Sequence, residues 1–332
     1  MAEVIPAQEH RAAPLPRLDA VDIRLLRIFS EIVAAGGFSS AQIALNVSQS
    51  TISAKMAELE TRLGSRLCRR GRGGFALTDS GRQVYEASQA LFRALDEFQA
   101  QVGDMRGALV GDLHIAALDA LASNPDCRLF DAIGRFKAHG GAVHLTLHIA
   151  NPLDIERSVL EGRYHLGIGS FPSHAPGLTY RFLFDEEQRL YCGRGHPFFR
   201  RAERTLSVRE CEAADYVRRG YYAGSLKPGR FRARNETATA FNMEATATMI
   251  LSGRYLGHLP AHFAAPWVER GDLRSLLPTK LSYRTRFEAV HRKGPASAPA
   301  IELFHNDLLA AFGQAPAGKA KSGTRSLLKR EM

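Results

Sequence analysis

The sequence predicts a mixed α/β protein in which a small helical domain precedes a long helix and a larger body made of two α/β lobes. Three observations support this prediction. Residues 19–79 contain short helical patterns followed by a segment rich in Gly and Arg. Residues 80–105 contain no Pro and repeat apolar residues at helical spacing. From Leu109 onward, short apolar strands alternate with helical patterns, as in parallel sheets covered by helices.

Composition and charge limit the kinds of protein that this chain encodes. Its 332 residues leave room for a small domain and a larger body, and a hydrophobic content of 45% supports packed cores. The formal net charge is +10, and much of the excess lies in residues 17–82 and in a basic tail at 317–332. The rest of the chain is mildly basic, which argues against a protein that coats nucleic acid without selectivity.

Neither metal ligands nor export signals stand out. The cysteines lie far apart, at positions 68, 127, 192 and 211, and form no Cys-x-x-Cys pair or Cys/His cluster. We therefore expect reduced thiols, no metal and no cofactor. Residues 1–17 are expected to be a disordered lead without a signal peptide's apolar stretch, and residues 313–332 a basic disordered tail. Because no apolar run reaches membrane-spanning length, we expect a cytoplasmic protein without membrane contact.

Two helices open the predicted N-terminal domain, residues 18–79. The first spans residues 19–35 and is amphipathic, with an inward face formed by Ile23, Leu26, Phe29, Ile32 and Val33. The second spans residues 39–45, where Ser39 and Gln42 fit a capping box. Asn46 and Val47 then make a tight turn, because Asn tolerates left-handed backbone angles.

A third predicted helix begins after Ser48, whose hydroxyl is a suitable cap, and ends at Gly64. Its buried stripe consists of Ile52, Met56, Leu59 and Leu63. Small polar side chains occupy its first turns, off this stripe: Gln49, Ser50, Thr51 and Ser53. Gln pairs with adenine, and Ser or Thr contacts several base edges or phosphates. Lys55 would add affinity through a phosphate, without sequence information.

A segment rich in Gly and Arg follows the third helix. Its arginines fall within eleven residues: Arg62, Arg66, Arg69, Arg70 and Arg72. Three glycines are interleaved with them, and apolar residues would anchor the base of a hairpin: Leu67, Phe75 and Leu77. An ordinary helical hairpin with a polar face is the alternative interpretation of the two preceding helices. A basic Gly-rich arm buries little and is better explained by DNA phosphates, which favours DNA binding.

Residues 29–81 resemble the N-terminal winged helix-turn-helix of the LysR-type transcriptional regulators. The matching residues are Phe29, Gly36, Phe38, Ala41, Leu45, Val47, Ser48, Gln49, Ile52, Ser53, Leu59, Glu60, Leu63, Gly64, Leu67, Arg69, Leu77, Thr78 and Gly81. Departures from the family pattern are Gln42, Ser50, Ala54 and Cys68. Since Ser50 and Ala54 lie on the predicted DNA face, the preferred operator sequence stays open. The expected DNA-contacting residues are Ser39, Ser48, Gln49, Ser50, Thr51, Ser53, Lys55, Arg69, Arg70 and Arg72.

The resemblance implies a regulator, not an enzyme, that binds a double-stranded DNA operator under the control of a small-molecule effector. Residues 80–106 would be its linker helix, whose apolar residues recur near a seven-residue period: Val84, Ala87, Leu91, Leu95, Phe98 and Val102. Pairing of this seam with a second copy is favoured over packing on its own body, because a solitary helix would leave it bare. The resemblance also implies a homodimer through this helix and a homotetramer on DNA.

Residues 109–312 are expected to form the two lobes of an effector-binding domain that resembles periplasmic binding proteins. The predicted lobe I combines about 109–184 with 285–312, and lobe II spans about 185–284. The strand–helix alternation supports this division, with chain crossings near Phe184 and Tyr283.

The predicted effector site lies where strands end, since open α/β sheets bind ligands beyond the carboxyl ends of their strands. Its expected residues are Asp119, Ala120, Asn151, Pro152, Ser170, Phe171, Tyr221, Tyr222, Thr246 and His258. The aromatic side chains would suit a flat ring, and Arg218, Arg219 and Lys227 would suit a carboxylate. Asp119 would instead favour an amine, so the ligand class stays open between these chemistries.

Three other kinds of protein fit the sequence less well. Enzymatic motifs are absent, and Pro260 interrupts the helical spacing of His258 and His262 that a metal site would need. His144 and His148 share one face of a predicted strand, which indicates partial exposure more than metal binding. A periplasmic-type binding protein would lack the N-terminal domain, and a nonspecific architectural DNA-binding protein would spread its positive charge more evenly.

Overall fold

The protein is described from a computed structural model over residues 18–71, 74–105, 109–221, 231–294 and 298–315. The side chains of a few residues inside helices and strands, Arg70 among them, lie outside this description. The chain divides into two compact units, residues 1–95 and 96–332.

The first unit contains three short helices: α1 (Ala20–Ala34), α2 (Phe38–Leu45) and α3 (Gln49–Leu63). Asp19 caps α1 in a reciprocal capping box with Asp22. Asn46 ends α2 in a left-handed conformation with a φ of 51°, as the sequence predicts for this turn. Gly64 ends α3 in the same region. The expectation that Ser39 caps α2 is wrong, because the helix begins one residue earlier, after Gly37.

Apolar side chains from all three helices form the core of this unit. Phe29, Ile32 and Leu59 are completely inaccessible to solvent. The predicted stripe of α3 is confirmed for Ile52, Met56 and Leu59, all buried, whereas Leu63 is half-buried. The core also includes Leu67 and Cys68 at the start of the following hairpin.

The hairpin consists of β1 (Cys68–Gly71) and β2 (Gly74–Leu77), paired antiparallel so that Cys68 faces Leu77. It is followed by the long helix α4 (Asp79–Met105). Within the first unit, the side chains of α4 pack on α1. The ring of Tyr85 lies edge-on to Phe29 at 6.3 Å, and Arg27 lies over Phe92 at 4.8 Å. Val84 and Leu91 also pack against the core of this unit, so the expectation that the seam pairs with a second copy is wrong for these two residues.

Nine strands form one mixed sheet in the described part of the second unit. They are β3 (Val110–Ala117), β4 (Ala142–Ile149), β5 (Leu166–Gly169), β6 (Leu178–Gly193), β7 (Asp215–Arg219), β8 (Asn235–Ala240), β9 (Leu256–Pro260), β10 (Leu273–Ser275) and β11 (Tyr283–Arg292). The spatial order is β4-β3-β5-β11-β6-β9-β7-β8, and β10 also pairs with β6. β3 pairs parallel with both β4 and β5, and β7 parallel with β8, as the alternating pattern predicts.

Two long antiparallel strands connect the lobes. β6 and β11 pair from Leu178 opposite Arg292 to Gln188 opposite Tyr283. The register shifts by one residue beside Phe287, which stacks on Phe184 at 4.8 Å. Both predicted crossings, near Phe184 and Tyr283, thus fall on this strand pair.

Helices cover both lobes. Lobe I carries α5 (Leu129–Ala138), α6 (Pro152–Leu160) and α11 (Pro299–Ala311). Lobe II carries α7 (Val208–Ala213), α8 (Met243–Leu251), α9 (Ala261–Glu269) and α10 (Pro278–Leu281). One buried apolar cluster fills lobe I and two fill lobe II. Across the described ranges, no helix is both long and apolar enough to span a membrane.

Candidate DNA-binding surface and interlobe cleft

The start of α3 is built around the hydroxyl of Ser48. This oxygen accepts the backbone N–H of Thr51 at 3.2 Å, which is the expected helix cap. It also lies 2.8 Å from the hydroxyl of Ser50 and 2.9 Å from that of Thr51. The three hydroxyls are therefore fixed relative to one another at the end of the helix where backbone N–H groups favour anions.

The predicted DNA-contacting side chains around this point are mostly open to solvent. Gln49, Ser50 and Thr51 are exposed, and Ser53 is half-buried. Ser39 is exposed on the first turn of α2. Their roles stay predictions, but a side chain that is already exposed reaches a base edge or phosphate without unfolding anything.

Lys55 is paired within its own helix. Its ammonium lies 3.0 Å from a carboxylate oxygen of Glu58, and 45% and 39% of the two side chains are exposed. Ion pairs this exposed contribute little stability. Exchange of Glu58 for a DNA phosphate therefore costs little, and the predicted phosphate contact stays available to Lys55.

Glu60 positions the hairpin that follows α3. Its carboxylate accepts the backbone N–H groups of Leu67 at 2.7 Å and Cys68 at 3.2 Å, so it joins the last turns of α3 to the first strand. Thr78 holds the other end of the hairpin, because its hydroxyl donates to the carbonyl of Arg66 at 2.6 Å. Gly81 is required there, since a Cβ at this position would lie 2.0 Å from the carbonyl oxygen of Leu67.

The arginines of the basic segment that begins at Arg62 differ in where they lie. Arg69 is exposed on β1. The side chain of Arg70 and all of Arg72 lie outside the described residues. Arg62, counted with this basic segment in the sequence, instead turns inward and binds Asp22 and Asp19 at the start of α1. The hydrogen bond from Arg62 lowers the pKa of the buried Asp22 carboxyl to about 2.

The second candidate site is the cleft between the lobes of the second unit. Residues 119–124 leave the carboxyl end of β3 and reach across to lobe II. The Asp119 carboxylate accepts the backbone N–H of Met243, the first residue of α8. Ala120 adopts a left-handed φ of 61° and packs against a buried cluster of lobe II. A left-handed Ala is strained, which is typical of positions that a functional site fixes.

The other predicted effector residues of lobe I lie at the ends of β4 and β5. The side chain of Asn151 caps α6, accepting the N–H of Asp154 at 3.0 Å, and Pro152 is its buried first residue. Ser170 and Phe171 follow β5 and are both buried. Phe171 packs against Tyr180 at 5.5 Å.

Two predicted effector residues of lobe II are engaged inside that lobe. His258 is buried, and its ring nitrogens contact the carbonyl of Leu281 at 3.1 Å and the hydroxyl of Tyr216 at 3.0 Å. Burial lowers the pKa of His258 to about 4, which keeps the ring neutral near pH 7. Thr246 is buried on α8 and donates to the carbonyl of Asn242 at 2.9 Å. A ligand would have to displace these bonds to reach either side chain.

The remaining lobe II predictions fall at the edge of the described chain. Tyr221 is buried in the turn after β7. Tyr222 and Lys227 lie outside the described residues. Arg219 donates to the side chain of Gln188 at 2.7 Å and to the carbonyl of His258 at 3.3 Å.

Sequence reasoning missed the polar residues that join the lobes. Glu186 and Gln188 on β6 are buried, with Asn124 of lobe I and His262 of lobe II hydrogen-bonded to Glu186. The alternation of Glu186 and Gln188 is a weak sign of a shared strand face. Nothing in the sequence places Asn124 beside them. In the described part of the chain, no group of three or more His, Cys, Asp or Glu side chains is arranged to hold a metal ion.

Comparison with known proteins identifies the family. The model of the LysR substrate binding domain matches residues 106–313, and that of the bacterial regulatory helix-turn-helix protein, lysR family, matches residues 23–82. The chain belongs to the LysR family of transcriptional regulators. This LysR-type regulator is 42% identical over 294 residues to the HTH-type transcriptional activator BauR of Pseudomonas aeruginosa, which covers 89% of this chain and 96% of BauR.

More distant relatives of this LysR-type regulator are also named as transcription regulators. The SDS degradation transcriptional activation protein of a Pseudomonas species is 26% identical over 314 residues, covering 90% of this chain and 99% of that protein. Two full-length solved structures share the fold. The Vibrio cholerae virulence activator AphB has a TM-score of 0.58 at 16% identity, covering 87% of this chain and 98% of AphB. CbnR, solved with its target DNA, has a TM-score of 0.55 at 18% identity, covering 87% and 99%.

The resemblance inferred from the helix-turn-helix segment is thereby confirmed. The chain is a DNA-binding transcription regulator that joins a winged helix-turn-helix to a two-lobed effector-binding domain. Regulators of this family bind DNA and small-molecule effectors and form oligomers.

Proposed function

We propose that two copies of this regulator read a two-fold DNA site with the first turns of α3, and that a small molecule between the lobes controls the output. The observation that carries the DNA-reading part is the exposed polar start of α3 followed directly by a Gly-flanked basic hairpin. A helix of this kind suits the major groove, and the hairpin suits the phosphates beside it.

The proposed contacts divide into two kinds. Gln49, Ser50 and Ser53 probe base edges, with Ser39, Ser48 and Thr51 contacting bases or phosphates around them. Lys55, Arg69, Arg70 and Arg72 hold phosphates and set affinity. The division of the chain into residues 18–79, 80–106 and 109–312 belongs to the same proposal, with reading, pairing and effector binding as the respective tasks.

Pairing is proposed to run through α4. Phe98, a residue of the seam predicted from the sequence, lies on this helix with 64% of its surface exposed. A second α4 would cover it and place two copies of α3 on one operator. Regulators of this family bind DNA and form oligomers, and we propose a homotetramer as the working form of this one.

The effector is proposed to occupy the cleft bounded by residues 119–124, the start of α6, Ser170-Phe171 and the start of α8. Phe171 and Tyr221 suit a flat ring, and the guanidinium groups of Arg218 and Arg219 at the end of β7 suit a carboxylate. We therefore propose a small carboxylate or aromatic compound. By analogy with BauR and the SDS degradation protein, which are named as activators, its binding would activate transcription.

Loss of the basic hairpin tests the DNA contacts. Replacement of Arg70 and Arg72 by Ala removes two cations that would neutralise phosphates. Binding to the operator, measured by fluorescence anisotropy between about 50 and 200 mM salt, should weaken. The slope of log K against log salt should fall by about 2, since each contact contributes about 0.9.

The matched control removes two arginines from the effector-binding domain. Arg135 and Arg254 are both exposed there, and their replacement by Ala lowers the net charge by the same amount. The salt slope of this variant should equal that of the unaltered protein. Equal slopes for both variants would contradict the assignment of the hairpin to phosphates.

Base reading has its own test. Gln49→Ala should reduce the preference for operator over unrelated DNA by about 5- to 100-fold, the range for loss of one bidentate base contact. Binding to unrelated DNA should stay nearly unchanged. A parallel loss on both DNAs would show that Gln49 contributes affinity and not sequence selection.

Effector control is tested by thermal unfolding of the full chain with small carboxylates and aromatic compounds, and with amines for comparison. A compound that binds the folded cleft raises the unfolding midpoint, and the stabilisation grows with the logarithm of its concentration relative to its Kd. Benzoate and short aliphatic amines serve as the first two probes of the ring and charge requirements. A broad screen without a stabilising compound would argue against ligand control.

A further inference from the structure

Buried polar side chains form a cluster where the two lobes meet. At its centre is Glu186 on the crossing strand β6, 4% exposed. One of its oxygens, Oε1, accepts from Nδ2 of Asn124 at 3.0 Å and faces Nε2 of His262 at 2.8 Å. The other oxygen accepts from Nε2 of Gln188 at 2.6 Å. One carboxylate oxygen thus bonds to lobe I through Asn124 and to lobe II through His262.

A second contact closes this cluster into a ring. The hydroxyl of Ser123 lies 3.0 Å from Nδ1 of His262. Ser123 precedes Asn124 and also belongs to lobe I. Both nitrogens of the His262 ring are therefore engaged, Nδ1 with the hydroxyl of Ser123 and Nε2 with the carboxylate of Glu186. We call these four residues, Ser123, Asn124, Glu186 and His262, the interlobe clasp.

The hydrogen bonds of the clasp depend on the position of lobe I relative to lobe II. A buried carboxylate is stable only with donors around it, and a donor removed without replacement leaves a costly unpaired charge. Rotation of lobe I away from lobe II would remove Asn124 from Glu186 and Ser123 from His262 together. Any arrangement with separated lobes must therefore provide new donors at Glu186, from water or from a bound molecule.

The opposite strand shows that the present arrangement is not fully satisfied. Thr285 pairs directly with Glu186 in the register of β6 and β11, so their side chains share one face of the sheet. Thr285 is 5% exposed, and its Oγ1 has no hydrogen-bond partner among the described residues. A second arrangement of the lobes in which this hydroxyl gains a partner would be favoured by that hydrogen bond.

We propose that Glu186 is the positioning residue of the cleft, and that the interlobe clasp sets the balance between two arrangements of the lobes. The effector acts on this balance by exchanging the lobe I arm of the clasp, Ser123 and Asn124, for its own polar groups. This inference rests on the proposed effector control, and it names the contacts through which the lobes respond.

Distance measurement between the lobes tests the clasp without any effector. Spin labels are attached at Arg135→Cys in lobe I and Arg254→Cys in lobe II, both exposed positions, while the native cysteines in the described chain are buried. Labelled full-length protein is mixed with excess unlabelled protein, so that double electron–electron resonance reports distances within one chain.

Three clasp variants are compared in this background. Ser123→Ala removes from an exposed residue the contact with His262 and a local hydrogen bond to the carbonyl of Ala120 at 3.1 Å, which lies within lobe I and is common to both arrangements. It should change the ratio of the two arrangements about fivefold, as expected for one neutral hydrogen bond. Glu186→Gln should change the ratio further, since it removes the charge and turns one acceptor into a donor facing Gln188. Ser123→Thr keeps the hydroxyl and should retain the original distance distribution.

Unchanged distance distributions in both Ser123→Ala and Glu186→Gln would overturn the proposal. The same holds if these variants lower the thermal unfolding midpoint while the distances stay unchanged, because a merely structural role predicts that result. An altered distribution in Ser123→Thr equal to that of Ser123→Ala would also overturn it. Failure here leaves the ligand screen on the unaltered protein as a separate test of effector control.

Discussion

The proposed DNA-contacting surface and the interlobe cleft hold their polar side chains in opposite ways. Gln49, Ser50 and Thr51 are exposed at the start of α3. Asp119 and Asn124, in contrast, bond across the cleft to α8 and to Glu186. One surface is open before its partner arrives, while the other is closed by its own hydrogen bonds. Substitutions on the DNA-contacting surface should therefore change DNA binding with little change in the free energy of unfolding. Substitutions in the cleft should change effector binding and stability together.

The largest expected effect lies beneath the DNA-contacting surface. Gly81→Ala places a methyl group 2.0 Å from the carbonyl oxygen of Leu67, where backbone would have to move. We expect the first unit to lose about 3 kcal/mol of its free energy of unfolding, at the upper end for overpacking. Native-state hydrogen exchange of α1–α3 measures this loss, and operator binding should fall with it.

A glycine with free space around it is the control. Gly134 lies on α5, and a Cβ there would meet nothing within 4 Å. Gly134→Ala should leave stability unchanged or slightly improved, as expected for Ala in a helix. A mild effect of Gly81→Ala would show that the hairpin adapts more freely than its hydrogen bonds to α3 indicate.

The second prediction concerns the acid side of the stability profile. Arg62 holds the pKa of Asp22 at about 2, below the ordinary value of 3.8. Since the folded-state pKa is depressed, this carboxylate stabilises the first unit above pH 4, and the contribution is lost as the pH falls from about 4 to 2. Asp22→Asn should lower the unfolding midpoint at pH 7 and flatten its dependence on pH in that window.

Asp79→Asn is the comparison variant for Asp22. Its carboxylate pairs with Arg82 on the surface, with 87% of the side chain exposed. Circular dichroism at several pH values should show the original acid profile for this variant. A flattened profile in both variants would mean that general charge, and not the Arg62–Asp22 contact, sets the acid limit.

The third prediction tests the coupling expected in the cleft. Asp119→Ala removes the carboxylate that accepts the first N–H of α8. Loss of such a cap costs about 1 kcal/mol. Urea unfolding followed by the single Trp, Trp267 on α9, should report this loss for the effector-binding domain.

Asp131→Ala is the control for Asp119, because its carboxylate pairs only loosely with Arg128 at 3.7 Å on the surface of α5. A change below about 0.5 kcal/mol is expected there. Equal losses in the two variants would remove the distinction between cleft and surface carboxylates.

The smallest effect on stability is expected at Lys55. Its exposed ion pair with Glu58 should contribute less than about 0.5 kcal/mol. If Lys55 neutralises a phosphate, Lys55→Ala should still lower the salt slope of operator binding by about 1. Lys280→Ala, at an exposed position of lobe II, should change neither quantity. If Lys55→Ala lowered stability and left the salt slope unchanged, Lys55 would act on folding and not as a phosphate contact.

The same contrast explains what the sequence could predict. The turn at Asn46, the cap at Ser48 and the apolar stripe of α3 involve residues within a few positions of each other, and all were predicted. The inward turn of Arg62 was not, because Asp22 lies 40 positions away. The clasp is more distant still, since Asn124 and Glu186 are separated by 62 positions and Ser123 and His262 by 139. Pairings over such distances leave no local pattern.

The sequence patterns did not predict β8, the first half of β6 or α9, for related reasons. β8 (Asn235–Ala240) has the sequence NETATA, which is short and polar because it lies at the edge of the sheet. The first half of β6 carries charged residues in a strand that crosses between lobes, so the two-residue alternation of a half-buried strand is interrupted there. In α9, Pro266 obscures the helical pattern. Tertiary packing and the crossing of strands between the lobes determine these elements more than the local preferences of their residues do.

The strand pair β6–β11 also bears on how such a protein can be rebuilt. Gln188 and Tyr283 face each other in register, so the chain enters and leaves lobe II at points about 5 Å apart. Lobe II is in this sense an insert with adjoining ends. Recombination at these two positions would exchange one family member's lobe II for another's while the strands that receive it keep their partners. Sensors with new ligand preferences could then be assembled from two junctions, without redesign of the reading domain.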